Sequence, residues 1–332
     1  QPADKGIFPV YSDELADNPE DLGVFPQGYE TQWAPADDDD LANDEISKLL
    51  DRGYARAFDS LAELRGHLRE DPVVSELLVI TKWTGGRLKK RLIINLKKSG
   101  VSRSSRKSER VMLPRSLDLV WDLLEVMRYA QDNDIEGEPW HLVLDFSDAF
   151  FQIPLGFAER KFAVVRHRGR YILFQRAPQG SRGAPLLWAR ICALICRLAL
   201  ALTNTKLNKI NCYVDDPSLI LWGLPAQRRR NLTKIVGSWI ALGFKMQFGK
   251  AALAKPCEIL TWTSARYAFL RWGVLVQIKA QIVQEVSDDI ERFLKSNVIA
   301  EKDMQVFLGR ANCIASLMHV WRPFLGMLWA AM

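Results

Sequence analysis

Residues 141–155 read His141-Leu142-Val143-Leu144-Asp145-Phe146-Ser147-Asp148-Ala149-Phe150-Phe151-Gln152-Ile153-Pro154-Leu155, and the fold turns on how this stretch is read. Leu142, Val143 and Leu144 predict a short apolar strand that delivers Asp145 to its tip. A carboxylate buried there is costly unless it pairs with a cation or binds a metal ion. Asp148, Phe150 and Phe151 follow, and Pro154 closes the segment. One carboxylate is not a site, so the rest of the chain must supply partners.

The next candidate is Asp215-Asp216, at a tight turn between the apolar runs 211–214 and 218–221. Turns favour aspartate, so the pair alone says little. Here, however, two predicted strand ends, separated by 70 residues, both present carboxylates from hydrophobic surroundings. Three clustered acids repel one another unless divalent cations neutralise them. Two Mg²⁺ ions about 3.5–4 Å apart, held by such carboxylates, suit in-line phosphoryl transfer. Mg²⁺ accepts few carboxylates and completes its shell with water and substrate phosphates.

The chain has 332 residues, 48% of them hydrophobic and 25% charged, which predicts globular structure over most of its length. The formal charge of +6 hides an asymmetry. Residues 1–46 hold 13 of the 39 acids and one of the 45 bases, leaving 44 minus 26, or +18, on the remainder. A basic body points to a polyanionic partner, and nucleic acid is the default. The longest apolar stretch, 184–202, contains Arg190 and Arg197, so no membrane span is expected. The five cysteines form no CxxC pair and only four histidines accompany them, so no zinc site is expected. Cys192 and Cys196 lie one helical turn apart, and packing is the expected role. No signal or transit sequence is visible at Gln1. Reduced thiols in an intracellular protein, cytoplasmic or nuclear, are the expectation.

Along the chain, residues 1–40 read as an acidic, disordered arm. A helix over 41–52 follows, and Ser60 with Glu63 makes a capping box for a second helix. Thr84-Gly85-Gly86 predicts a hairpin between 73–82 and 89–96, and a basic loop runs from 99 to 110. Pro114 and Ser116 open a helix in which Val120, Leu124 and Met127 share a face. Strands are expected at 161–165 and 170–174. The helix 184–202 is apolar nearly all round and is expected in the core. Residues 228–242 read as an amphipathic helix whose Arg228-Arg229-Arg230 start is expected to be exposed. Short strands run to about 278, and two helices, 280–295 and 302–320, close the chain.

These motifs, in this order, resemble those of retrotransposon-type reverse transcriptases. Leu144-Asp145 with Ala149-Phe150-Phe151 and Pro154 resembles the family's motif A. Ala177-Pro178-Gln179-Gly180 with Ala184-Pro185 resembles motif B, and Tyr213-Val214-Asp215-Asp216 resembles motif C. Leu242-Gly243-Phe244 with Lys250 resembles motif D, and residues 91–97 resemble the fingers strand over the incoming nucleotide. The C-terminal part, 306–325, resembles the thumb-to-connection region of long-terminal-repeat and tyrosine-recombinase retrotransposons. A ribonuclease H domain often follows that region, but nothing in this chain resembles one, nor a protease or integrase.

The resemblance implies an α+β right-hand polymerase. Its parts would be a helical N-terminal extension at 41–72, fingers at 73–118 and 156–178, a palm with an antiparallel sheet at 119–155 and 179–275, and the thumb with the start of the connection at 276–332. It implies RNA-directed DNA polymerase activity on a primed RNA or DNA template, with dNTPs and two Mg²⁺ ions (or Mn²⁺) as partners. Asp145, Asp215 and Asp216 would be the metal ligands, with the backbone carbonyl of Phe146. Asp148 and Ala149 would lie by the triphosphate, and Phe150 would be the steric gate beneath the sugar. Gln179 and Gly180 would contact nucleotide and template, Lys82 and Arg91 would hold the β- and γ-phosphates, and Lys250 would donate a proton to the pyrophosphate.

Some residues depart from the family pattern. Asn95 stands where aspartate is usual and Lys97 where arginine is usual, which puts the fingers' internal ion pair in question. Pro217 follows the catalytic pair, so a tighter or less regular hairpin is expected there. Residues 259–263, the primer-grip region, lack the usual glycine. Two other readings stand beside the polymerase: an RNA-dependent RNA polymerase, against which Phe150 argues, and an inactive nucleic-acid-binding remnant, against which the intact acids argue. The acidic arm is expected to fold over the basic cleft and compete with template.

Overall fold

The computed structural model describes residues 37–84, 86–105, 111–270, 272–296 and 298–332. Most of the expected acidic arm, 1–36, and part of the basic loop, 106–110, lie outside the described residues. The strands, in chain order, are β1 Ala55–Phe58, β2 Val74–Thr84, β3 Arg87–Asn95, β4 Glu138–Val143, β5 Val164–His167, β6 Arg170–Phe174, β7 Asn208–Tyr213, β8 Asp216–Gly223, β9 Ala252–Ala254, β10 Ile259–Trp262, β11 Ala265–Leu270 and β12 Gly273–Ile278. The helices are α1 Asp37–Asp51, α2 Leu61–Leu68, α3 Val101–Ser104, α4 Ser116–Asp132, α5 Ala184–Ala201, α6 Pro225–Ala241, α7 Ala280–Leu294, α8 Glu301–Ala315 and α9 Arg322–Ala330. They fall into two compact units, Gln1–Val111 with Asp148–Ile191, and Met112–Ser147 with Cys192–Met332.

The first unit is built on a five-stranded sheet in the order β1-β6-β5-β2-β3, antiparallel except for the β2–β5 pair. Asp37 to Asp40 belong to the first turn of α1. The helix therefore begins four residues before the expected 41. Ser60 Oγ accepts from Glu63 N at 3.1 Å, but Glu63 reaches back to Asp59 N, one residue outside the expected box. Leu64 and Leu68 of α2 pack with Phe58, Val74, Val164, Tyr171 and Leu173. The β2–β3 hairpin closes at Thr84 opposite Arg87, as the glycine pair predicts. Lys161 falls not in a strand but in a 3₁₀ turn, Phe157–Phe162, because Ala163 N bonds back to Arg160 O and delays strand pairing to Val164.

The second unit holds a four-stranded antiparallel sheet, β7-β8-β4-β9, and a three-stranded one, β10-β11-β12. The buried stripe of α4 is Leu119, Leu123, Val126 and Ala130, offset from the expected face. Val120 and Met127 border it and Leu124 is exposed, because the core that α4 meets is Ile220 with Trp262, Tyr267 and Phe269. Pro217 does not disturb its hairpin: β7 and β8 pair without a bulge from Asn208–Leu221 to Tyr213–Asp216. The expected helix 302–320 is broken, since α8 ends at Ala315 and Pro323 sits in the first turn of α9, where a missing N–H costs nothing.

Helix α5 differs from its expected burial. Ala184, Trp188, Cys192, Ile195, Cys196 and Ala199 are buried, whereas Leu194, Leu198 and Leu202, just beyond its end, are each 50% exposed. One face of a helix packs and the other does not, whatever the composition of both. By length and composition α5 could cross a bilayer, but it carries two arginines and its packed face lies in the protein's own core.

Candidate functional site

Strand β4 ends at Val143, and the chain continues in pairing geometry on both sides. Leu144 N bonds to Pro217 O at 2.9 Å and Phe146 N to Asp215 O at 2.8 Å. On the other side Ser147 N bonds to Lys245 O and Gln247 N to Asp145 O. Asp145 is thus clamped between the β7–β8 turn and residues 245–247. Only 5% of it is exposed.

The turn itself is Val214-Asp215, between Tyr213 and its partner Asp216. Val214 has φ +58°, a left-handed conformation that a β-branched residue adopts only under constraint. The indole of Trp262 donates to Asp216 O at 3.0 Å and its ring meets Tyr213 edge-on, fixing the far side of the turn. Trp262 was not a sequence candidate, and only its place in the primer-grip region could have drawn attention to it. There, Thr263 takes φ +55°, supplying the left-handed turn without the usual glycine.

The three carboxylates act on one another electrostatically. Burial, followed by the charges of Asp215 and Asp145, pushes Asp216 up to about 6, with Lys250 opposing. The Lys250 ammonium pairs with Asp145, and that hydrogen bond holds its pKa above the ordinary lysine value. Lys250 sits on a 3₁₀ turn, Phe248–Lys250, and is itself largely exposed. A cluster of hard carboxylate oxygens that raises the pKa of its own member fits divalent cations of the Mg²⁺ kind.

The remaining candidates belong to the first unit. Asp148 has φ +51° and pairs with Arg52 at 2.6 Å, a partner no motif pointed to. Ala149 and Phe151 are buried in the short turn Ala149–Gln152, Phe151 stacking on Tyr54 at 5.3 Å. Phe150 between them is only half-buried, so it is not a core aromatic. Gln179 O accepts from Ile94 N at 3.0 Å. Gly180 has φ +104°, and a Cβ there would lie 2.3 Å from Ile94 O, so this position requires glycine for backbone packing against β3.

Lys82 and Arg91 are exposed on the β2–β3 hairpin. The register places Lys82 opposite Lys89 and Arg91 opposite Ile80, so all three cations share one face. Like charges directly opposite destabilise a ladder, and sequence reading missed Lys89 as the third of the set. In place of the family's ion pair, buried Glu76 accepts from Asn95 Nδ2 at 2.7 Å and pairs with Lys98 at 3.0 Å. A neutral amide and a lysine thus satisfy the carboxylate. Arg228 is buried rather than exposed: its guanidinium lies 4.5 Å over Trp140 and donates to Glu138 O.

The structure also gathers Cys192, Cys196 and Cys212, with their sulfurs within 4.8 Å of one another. Spacing could not reveal this, because Cys212 comes from β7 and the other two from α5.

A family model described as reverse transcriptase (RNA-dependent DNA polymerase) matches residues 83–264, more than half of the chain. No curated protein matches the chain in sequence. Among solved structures, the foamy viral protease-reverse transcriptase dRH in complex with double-stranded DNA aligns with a TM-score of 0.60 at 15% identity, over 92% of this chain and 46% of that one. The foamy viral enzyme in complex with an RNA/DNA hybrid aligns at 0.57 and 14% identity, over 92% and 35%. A third foamy viral structure, with double-stranded DNA, gives 0.56 and 16%, over 86% and 50%. The chain spans half or less of the length of these structures, and at such identities they establish its fold.

Proposed function

The chain belongs to the reverse transcriptase family, and from that premise we propose that it is the polymerase domain of a retrotransposon enzyme, adding dNTPs to a primer 3′-hydroxyl along an RNA or DNA template. The observation that carries this reading is the convergence of Asp145, Asp215 and Asp216 where the end of β4 meets the β7–β8 turn, Phe146 N bonding to Asp215 O at 2.8 Å. The nucleic-acid duplexes held by the foamy viral enzymes support a template–primer partner, as does the basic balance of residues 47–332.

Asp145, Asp215, Asp216 and the Phe146 carbonyl would hold two divalent ions, taken to be Mg²⁺. Bound there, such ions supply Lewis acidity toward the primer hydroxyl and the triphosphate. The chain's own residues do the rest. Lys82, Lys89 and Arg91 offer positive charge to the phosphates. Asp148 and Ala149 lie beside the triphosphate, Phe150 selects the sugar, and Gln179 and Gly180 form the nucleotide- and template-facing loop. Lys250, protonated through its pairing with Asp145, is the proton donor to pyrophosphate. The domain limits anticipated from sequence (fingers, palm and thumb) and an intracellular site of action are part of the same proposal.

Primer extension on RNA with Mg²⁺, comparing dNTPs with NTPs, tests it. DNA synthesis supports the reading. Exclusive NTP use would favour an RNA-dependent RNA polymerase, and no extension with either, alongside retained RNA binding, would favour the inactive remnant.

A further inference from the structure

The three thiols lie within the second unit, away from any role the proposed polymerase chemistry gives them. Cys192 and Cys196 are buried on one face of α5, and Cys212 on β7 approaches from another element. The Cys192 and Cys212 sulfurs are 3.0 Å apart, Cys192 and Cys196 are 3.9 Å apart, and all three fall within 4.8 Å. Cys257 and Cys313 stand outside the group and serve as internal controls.

We propose that Cys192, Cys196 and Cys212 form a trithiolate site for one thiophilic cation of the Zn²⁺, Cd²⁺ or Cu⁺ class. With metal–sulfur bonds of about 2.3 Å, three sulfurs around a trigonal centre stand about 4.0 Å apart. The separations of 3.0 and 3.9 Å, and the limit of 4.8 Å on the third, lie within about 1 Å of that value, so small side-chain rotations close the site. A disulfide would use two sulfurs at about 2.05 Å and leave the third without a role. A cation would draw off the thiol protons on binding. Soft sulfur donors select against Mg²⁺, so this site and the carboxylate site draw on different ions.

Cys212 stands three residues ahead of Asp215 on the same hairpin. A bound cation would staple α5 to β7 and stabilise the strand that presents the acidic turn, with a gain set by its affinity.

The test uses the full chain, reduced and stripped of metal, titrated with Cd²⁺ in excess Mg²⁺ while sulfur-to-cadmium ultraviolet absorption is followed. One equivalent should bind, unchanged in Asp215→Asn and lost in Cys196→Ala. In the unsubstituted chain, bound Cd²⁺ should slow alkylation of Cys192, Cys196 and Cys212 at least tenfold, as read by mass spectrometry, and leave Cys257 unaffected. That second readout needs no variant that could misfold. Absence of the absorption band, equal alkylation with and without Cd²⁺, or a Cys192–Cys212 disulfide that blocks uptake would each overturn the site.

Discussion

The two units hold their candidate residues in opposite ways. In the second unit the functional groups are charges taken out of water: Asp145 is buried, Asp216 is forced toward protonation, and Lys250 stands against them. In the first unit the functional side chains are exposed or half-buried, and the backbone carries the precision. Gly180 presses on Ile94, Asp148 is turned into the left-handed region beside Arg52, and Phe150 is flanked by buried Ala149 and Phe151. One site stores electrostatic cost that a cation can relieve, and the other stores shape.

If shape governs the first unit, Gly180→Ala should give the largest stability loss of the substitutions considered. Its Cβ would meet a backbone oxygen at 2.3 Å in a strained conformation, costing roughly 2–4 kcal/mol. Denaturant unfolding checks this, and a loss under about 0.5 kcal/mol would break the comparison at its strongest point. Phe150→Val should come next: it should admit NTPs about tenfold or more better, on the order of 1.4 kcal/mol, while DNA synthesis persists. Competitive incorporation of dNTPs against NTPs reads the ratio, and unchanged discrimination would make Phe150 mere packing.

If charge governs the second unit, its stability must depend on pH in a set direction. The fold raises Asp216 from 3.8 to about 6, so the native state holds that proton more tightly than the unfolded chain. In chelator, this contribution is full below about pH 4 and is lost as pH climbs to about 6. For a half-exposed group, the change is on the order of 1 kcal/mol after solvent screening. Asp216→Asn should remove that slope in melts across pH, and an identical slope in the variant would place the cost elsewhere. The smallest effect belongs to Leu198→Lys on the open face of α5, which should stay within about 0.5 kcal/mol. A large loss there would mean that this face is packed.

Much of both regions was legible in the sequence, because local chemistry wrote it. Gly86, with φ +73°, helps close β2 on β3, and the apolar runs around 215–216 placed the acidic turn. What escaped depended on partners remote in the chain. The face of α4 was set by Trp262 and Tyr267, more than a hundred residues on, and composition alone could not say which side of α5 would be covered. Within their own units, Arg52 and Trp262 reach candidate residues through an ion pair and an indole hydrogen bond, and Lys89 through a strand register, none of which has a sequence signature. Arg228 read as a solvated charge until Trp140 came beneath it.

The claim at the centre is that Asp145, Asp215 and Asp216 drive template-directed DNA synthesis. Single-turnover incorporation of one dNTP onto a primed RNA template, with Mg²⁺, should be measured for the chain and for Asp215→Asn. The account predicts a fall on the order of 10²–10³-fold or more with template binding unchanged. Equal rates in the two proteins would contradict it.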